Sequence, residues 1–343
     1  MTSSDSSAVS DRRAASQTGQ GAPVVVITGP SASGKSGLAL ALAGAFGGEV
    51  VNADSMQVYR ELAILTARPG PDALAQAPHR LYGVLPGGTP CSAGQWRELA
   101  VAAIETARSA GRLPILVGGS GLYLKALKQG LAPLPAVPAA VRAAARALLD
   151  DVGPVALHAA LAARDLVMAA RLRPSDSQRL VRAWEVLEAT GRSLAEWQGE
   201  GAEPLAPYRF LEIVLLPPRD ALYAACNVRF EAMMAAGALA EVEALLALGH
   251  DPGLPVMKAV GVPELAALLR GEIGEAEAVA RAQQATRRYV KRQMTWQRTQ
   301  GPLAEEPGIC KKNATLVIEA QYSARFELEI FNFIRREVLT PQE

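Results

Sequence analysis

A chain of 343 residues is longer than a single small domain needs, and with 50% of its residues apolar it has ample material for a sizeable core. Its formal charge of +1 excludes recognition of a partner by net charge, so any polyanion must be met by local clusters. Cys91, Cys226 and Cys310 are isolated, no C-x-x-C occurs and the three histidines are scattered, which reads as reduced thiols without a zinc site; no apolar run approaches the roughly 18 residues of a membrane span.

Residues 1–23 are rich in Ser, Ala and Gln, lack an apolar h-region, and read as a disordered tail rather than a secretory leader. Val24–Thr28 is a short β-branched run. It ends at GPSASGKS, Gly29 to Ser36, a match to G-x-x-x-x-G-K-S, and Gly34–Phe46 continues with helical periodicity. Strand, glycine loop and helix in this order are the context a phosphate loop requires. Glu49–Asn52 reads as a second strand ending near Asp54, Leu81–Val84 as a weak strand, and Ser92–Ala110 as a helix with Ser92 as its N-cap. Leu113–Val117 is an apolar strand that runs into GGSGLY. The alternation predicts an α/β fold, a P-loop NTPase-like core with a parallel sheet, built from residues 24–135 and 206–300.

After LAPLPAVP (Leu131–Pro138) the pattern changes. Ala139 to Trp197 is almost continuous Ala-, Leu- and Arg-rich helical text, which predicts a helical insertion domain over 136–205. Phe210–Leu216 returns to the sheet, and Arg219 to Thr299 is again mostly helical. Residues 301–343 diverge: alanine thins out and Phe326, Phe331 and Phe333 are half of the chain's phenylalanines. This tail is either an appended or frame-shifted segment or an ordinary terminal strand and helix.

The glycine loop carries the first chemistry. Backbone N–H groups of Ser31 to Ser36 and the following helix N-terminus form an anion nest. Lys35 adds a full charge, and the Ser36 hydroxyl suits a phosphate-bound Mg2+. An enzyme that hydrolyses nucleotides also needs an acid at the end of another core strand, and neither PILVGGSG nor LYGVLPGG supplies one. The acid that is well placed is Asp54, in VNADSMQVYR. It is either the N-cap of a helix starting at Ser55 or a carboxylate that faces the loop and accepts a proton.

RAQQATRRYVKRQMTWQR (Arg281–Arg298) holds six Arg or Lys and no acid. On a helix, Arg287, Lys291 and Arg298 form one stripe and Arg281, Arg288 and Arg292 an adjacent one, with Tyr289 and Trp296 two turns apart. Cationic stripes interleaved with aromatics suit a phosphate backbone and unstacked bases. The second cluster, RLRPSDSQRLVRAW (Arg171–Trp184), fits a kinase-like lid or a nucleic-acid arm equally well. A P-loop small-molecule kinase and a non-catalytic RNA-binding module are therefore the competing readings.

GPSASGKS, NADSMQVYR, ILVGGSGLYLKAL, SQRLVRAWEVLEATG and QQATRRYVKRQMTWQR, in this order over Val24–Arg298, resemble the signature blocks of the tRNA dimethylallyltransferases (isopentenyl-tRNA transferases). The resemblance implies a phosphate-loop core with a helical insertion, pierced by a channel. It implies transfer of a dimethylallyl group from dimethylallyl diphosphate to N6 of the adenine 3′ of the anticodon in tRNAs reading U-starting codons. It implies Mg2+ as cofactor, tRNA and dimethylallyl diphosphate as partners, and a cytoplasmic monomer with no membrane association. Gly29, Pro30, Ser31, Ala32, Ser33, Gly34, Lys35 and Ser36 then hold the diphosphate, with Ser36 as the metal ligand. Asp54, Lys35, Ser120 and Arg229 are the implied catalytic residues, Ser120 standing where the family has threonine. The implied tRNA contacts are Asp54, Ser55, Met56, Gln57, Ser120 and Arg142, then Gln178, Arg179, Leu180, Val181 and Arg182, and finally Lys291, Arg292, Gln293, Met294, Thr295, Trp296, Gln297 and Arg298. The chain departs from the family at AILTARP (Ala63–Pro69), where the family reads DIGTAKP. An acid is replaced by Ala63, a glycine by Leu65 and a lysine by Arg68. Val262 stands where a tyrosine is usual.

Overall fold

The computed structural model describes residues 21–200, 208–304 and 314–339. The expected tail over residues 1–20 and Cys310 lie outside the described residues. Described residues up to Lys128 and from Tyr208 onward form one compact unit, and residues 129–200 another.

The first unit opens with β1 (Ala22–Thr28). Ala22 and Pro23, expected in the tail, already pair with Tyr208 and Arg209, because a proline is tolerated where a strand begins. The loop leads into α1 (Lys35–Phe46), which buries Leu38, Ala39, Leu42 and Ala43. β2 (Gly48–Asn52) follows, then α2 (Pro71–Gln76) and β3 (His79–Arg80). The strand expected over Leu81–Val84 is absent: Leu81 and Gly83 have φ of 66° and 61°, which turns the chain out of the extended region immediately after β3. α3 (Ala93–Ser109) starts at a capping box in which the Ser92 hydroxyl accepts from the Gln95 N–H at 3.2 Å and the Gln95 side chain accepts from the Ser92 N–H at 2.9 Å. β4 (Leu113–Gly118) and α4 (Gly121–Gln129) complete this half.

In the second unit, α5 (Ala139–Arg164) is interrupted at Gly153 (φ 76°) and Pro154. It packs with α6 (Leu166–Arg171), α7 (Ser177–Thr190) and α8 (Leu194–Gly199) around Leu157, Leu161, Leu180 and Val186. Asp165, Asp176 and Ser193 cap the starts of α6, α7 and α8 with their side chains.

The chain returns to the first unit through β5 (Tyr208–Leu215) and then α9 (Arg219–Ala235), α10 (Ala238–Ala247), α11 (Val262–Leu269) and α12 (Glu275–Thr299). The divergent tail supplies a strand and a helix, β6 (Ala314–Ile318) and α13 (Glu327–Leu339). Its phenylalanines have a packing reason. Ile330, Phe333 and Ile334 join the sheet core, and Phe331 meets Phe46 of α1 edge to face at 5.6 Å.

The sheet order is β3-β2-β4-β1-β5-β6, and every pairing is parallel. β1 sits between β4 and β5 with Val24 to Ile27 fully buried. Ligands of such sheets bind beyond the carboxyl ends of the strands, which is where the glycine loop, Asp54 and the GGSG turn emerge. No helix among the described residues is long and apolar enough to cross a membrane.

Candidate active site

The loop curls around its own lysine. Lys35 Nζ donates to the Pro30 carbonyl at 2.7 Å. Gly34, at φ 93°, makes the left-handed entry to α1, and a Cβ there would meet Tyr322 Cβ at 2.8 Å, so only glycine fits. From outside, Gln321 Nε2 donates to the Ala32 carbonyl and the Tyr322 N–H to the Ser33 carbonyl, each at 3.0 Å. The loop is thus braced by the residues that follow β6. The first N–H groups of α1 have no partner inside the helix and remain for an anion. Burial lowers the Lys35 pKa to about 8, Asp54 pulls it back up, and Arg229 pushes it further down. One expected donor is already used: the Ser31 N–H and hydroxyl are both directed to Gln293 Oε1, at 2.9 and 3.3 Å. The nest open to a ligand therefore excludes Ser31.

Asp54 follows β2 in a tight turn. Asn52 at the strand end accepts from the Asp54 N–H through Oδ1 at 2.8 Å and donates through Nδ2 to the Asp54 carbonyl at 2.9 Å. Asp54 Oδ1 accepts from the Met56 N–H at 2.9 Å, and Oδ2 accepts no hydrogen bond among the described residues. No helix starts at Ser55. The aspartate closes an Asx turn and keeps one oxygen for other work. Across β4, Ser120 fixes the neighbouring backbone: its Oγ accepts from the Ser55 N–H at 2.8 Å and donates to Ser55 Oγ at 3.1 Å.

Arg229 of α9 completes the charge constellation. Its pKa is lowered by burial, with Cys226 and Asp54 opposing, and burial raises the Cys226 thiol against the pull of Arg229 and Lys35. Arg229 also lines a groove with Ala63, Ile64, Arg68 and Met233. Three tyrosines feel the Asp54 charge: Tyr289, which the sequence placed on the aromatic side of the cationic helix, and Tyr82 and Tyr123, which it did not single out. Burial raises each pKa foremost, and Asp54 adds to it. Their separation in sequence carried no signal.

The residues expected to touch tRNA divide by exposure. Arg142, Gln178, Arg179, Lys291, Arg292, Thr295 and Arg298 are exposed, while Ser55, Met56, Gln57, Arg182 and Trp296 are half-buried. Leu180 and Val181 lie in the core of the insertion, and Gln293, Met294 and Gln297 in that of the main unit; buried side chains offer no surface to a polyanion. Runs taken whole from a helix include both its faces, and the inward face carries these buried positions. Gln297 Nε2 instead donates to Thr28 Oγ1 at 2.6 Å. Trp296 packs on Gly121, where any Cβ would overlap its indole. Arg287 also leaves the expected stripe, donating to Asn227 Oδ1 at 2.7 Å.

The departures from the family pattern have local explanations. The Ala63, Ile64 and Leu65 N–H groups converge on the Glu241 carboxylate at 2.6, 2.7 and 2.9 Å. Arg68 caps the Tyr59 and Arg60 carbonyls at 3.1 and 3.2 Å, and Val262 is buried at the start of α11.

A family model described as IPP transferase matches residues 57–300. The tRNA dimethylallyltransferase of Rhodospirillum rubrum is 57% identical over 320 residues, 93% of this chain and 96% of that one. That of Granulibacter bethesdensis is 50% identical over 309 residues, 90% of this chain and 97% of that one. Among solved structures, a tRNA isopentenylpyrophosphate transferase from Bacillus halodurans superposes with a TM-score of 0.64 at 30% identity, covering 92% of this chain and 97% of its own. A eukaryotic dimethylallyltransferase solved acting on tRNA has a TM-score of 0.74 at 24% identity, covering 92% and 80%, a likeness of fold.

Proposed function

This chain belongs to the IPP transferase family, and from that premise we propose that it transfers a dimethylallyl group from dimethylallyl diphosphate to N6 of the adenine 3′ of the anticodon, in tRNAs reading U-starting codons. The observation that supports it most is the meeting of Lys35, Arg229 and Asp54 in one electrostatic field beyond the strand ends, two cations for a leaving anion and one carboxylate for a proton.

The diphosphate lies on the first-turn N–H groups of α1 and the inner N–H groups of the loop, with Lys35 and Arg229 countering its charge. As the allylic C–O bond breaks, negative charge grows on the leaving oxygen, and these fixed donors stabilise it more in the transition state than in the ground state. The adenine N6 lone pair forms the new C–N bond. The nitrogen becomes acidic as it does so, and Asp54, through Oδ2, accepts its proton. Ser120 holds the Ser55 backbone and so fixes the carboxylate's direction.

The donors present fit a divalent cation that binds with the diphosphate. No group of three His, Cys, Asp or Glu side chains that could hold a metal occurs among the described residues, so Ser36 Oγ would hold such a cation together with the diphosphate's own oxygens. A cation that keeps water and takes phosphate oxygens, as Mg2+ does, suits that set and supplies charge neutralisation at the leaving group.

Lys291, Arg292, Thr295 and Arg298 on α12, and Arg142, Gln178, Arg179 and Arg182 on the insertion, are the tRNA contacts of this reading. Loss of Leu180, Val181, Gln293, Met294 and Gln297 from that set leaves the cationic character unchanged. The enzyme acts as a cytoplasmic monomer. The test incubates the chain with labelled dimethylallyl diphosphate or labelled ATP, with and without unmodified tRNA. Label moving from the diphosphate to tRNA, with none from ATP, is expected; label moving from ATP to a small molecule instead would make the chain a kinase.

A further inference from the structure

Gln293 is an uncharged, buried side chain on a helix whose other face is cationic. Its carboxamide spans two loops. Oε1 accepts from the Ser31 N–H at 2.9 Å and from the Ser31 hydroxyl at 3.3 Å, while Nε2 donates to the Gly119 carbonyl at 3.3 Å. Ser31 belongs to the loop that takes the leaving group. Gly119 immediately precedes Ser120, whose hydroxyl anchors Ser55 next to Asp54. One planar amide thus joins the diphosphate side of the site to the acceptor side.

The amide is closely packed. A Cβ on Gly119 would overlap Nε2, which gives this glycine its reason. One turn further on, Gln297 is bonded to Thr28 at the foot of the loop, at 2.6 Å. One turn earlier, Tyr289 lies beside Ser120 and within the field of Asp54. The inner face of α12 is therefore tied through Gln297 to β1 and through Gln293 to both the glycine loop and the GGSG turn.

Resting on the transferase reading above, we infer that Gln293 is a positioning residue that sets the distance between the diphosphate held by the loop and the N6 acceptor held beside Asp54. Substitution at an allylic carbon needs the entering nitrogen and the leaving oxygen on one line through that carbon. The interval between the two loops fixes this line. A misplacement of about 1 Å costs on the order of 10²-fold in rate. Gln293 touches neither reactant; it acts through Ser31 and Gly119.

The experiment compares Gln293→Met, Gln293→Glu and Gly119→Ala in the full chain. For each, kcat, the KM for dimethylallyl diphosphate, the tRNA Kd and the melting temperature are measured. Gln293→Met keeps the length and apolar fit but loses both bonds. The expected result is a kcat lower by about 10- to 100-fold, with tRNA Kd within threefold of the parent. Gly119→Ala displaces the amide without altering it and gives the same split. Gln293→Glu keeps an acceptor for Ser31, loses the donor to Gly119, and brings a negative charge to the loop. It raises the KM for the diphosphate further than Gln293→Met does, a difference that a purely structural role would not produce. A kcat within twofold of the parent in folded Gln293→Met or Gly119→Ala overturns the inference. So does a tRNA Kd that rises in step with the loss of rate, which would make Gln293 an RNA contact. If the parent transfers no dimethylallyl group, the transferase reading fails separately. The inference then stands or falls on inorganic pyrophosphate binding, which Gln293→Met and Gln293→Glu weaken if the amide shapes the loop and leave unchanged if it does not.

Discussion

The Asp54 carboxylate raises the pKa of Lys35 while burial lowers it, and burial wins: the ammonium of the glycine loop titrates at about 8, against 10.5 for a free lysine. A lysine in this state binds an anion only after protonation, and a bound anion raises its pKa. Affinity for dimethylallyl diphosphate is therefore level from pH 7 to about 8 and falls about tenfold per pH unit above that, with proton uptake on binding. The last ionisation of a diphosphate ester is essentially complete above pH 8, so the slope there belongs to the protein. Calorimetry in buffers of different ionisation enthalpy reads both effects; an affinity independent of pH up to 10 refutes them.

The same shift has a consequence for stability. A base whose folded pKa lies below its unfolded value destabilises the fold in its charged form, at every pH below about 8, and the penalty fades between 8 and 10.5. Lys35→Met removes it. The variant is expected to lose transfer entirely and yet to melt at a higher temperature than the parent at pH 7. A lower melting temperature shows the lysine to be structural.

Asp54→Asn separates the two roles of that side chain. Asparagine still accepts from the Met56 N–H and closes the turn, so the melting temperature barely moves. It cannot take a proton, and kcat is expected to fall by about 10² to 10⁴, with tRNA affinity much less affected. Single-turnover transfer at saturating tRNA and diphosphate measures this; near-normal rates remove Asp54 from the mechanism.

Ser120→Thr retains the hydroxyl that accepts from the Ser55 N–H, and its kcat stays within a few-fold of the parent. Ser120→Ala leaves that N–H without its partner, at a cost of about 1–3 kcal/mol, and frees the turn that aims Asp54. Equal activity in the two variants would show that the hydroxyl does not orient the site.

Arg287 and Lys291, one turn apart on α12, are expected to behave differently. Lys291 is exposed, and Lys291→Gln lowers the slope of log K against log salt for tRNA by about one. Arg287 is bonded to Asn227, and Arg287→Gln lowers stability by about 1–2 kcal/mol while leaving the slope alone. Filter binding at several salt concentrations, with melting curves for both variants, tests the contrast.

The parallel core was legible in the sequence because its signals are local. A β-branched run, G-x-x-x-x-G-K-S and a helical period stand next to one another, and the same holds for the strand leading to GGSG. Lys35, Asp54 and Ser120 were legible for that reason, each lying within a few residues of a strand's carboxyl end. Burial around a helix is not local. From sequence, Lys291 to Arg298 is one cationic block, and only packing against β1 and the GGSG turn decides that Gln293 and Gln297 face inward while Lys291 and Arg292 face solvent. Leu180 and Val181 are buried for the same reason. The divergent tail carried no motif because a terminal strand and helix need only apolar faces, and the edge of β5 and the side of α1 choose its place. The value of about 8 at Lys35 belongs wholly to the tertiary structure. It arises from the burial of one amine beside Asp54 and Arg229, which stand 19 and 194 residues away along the chain and reach it only through the fold.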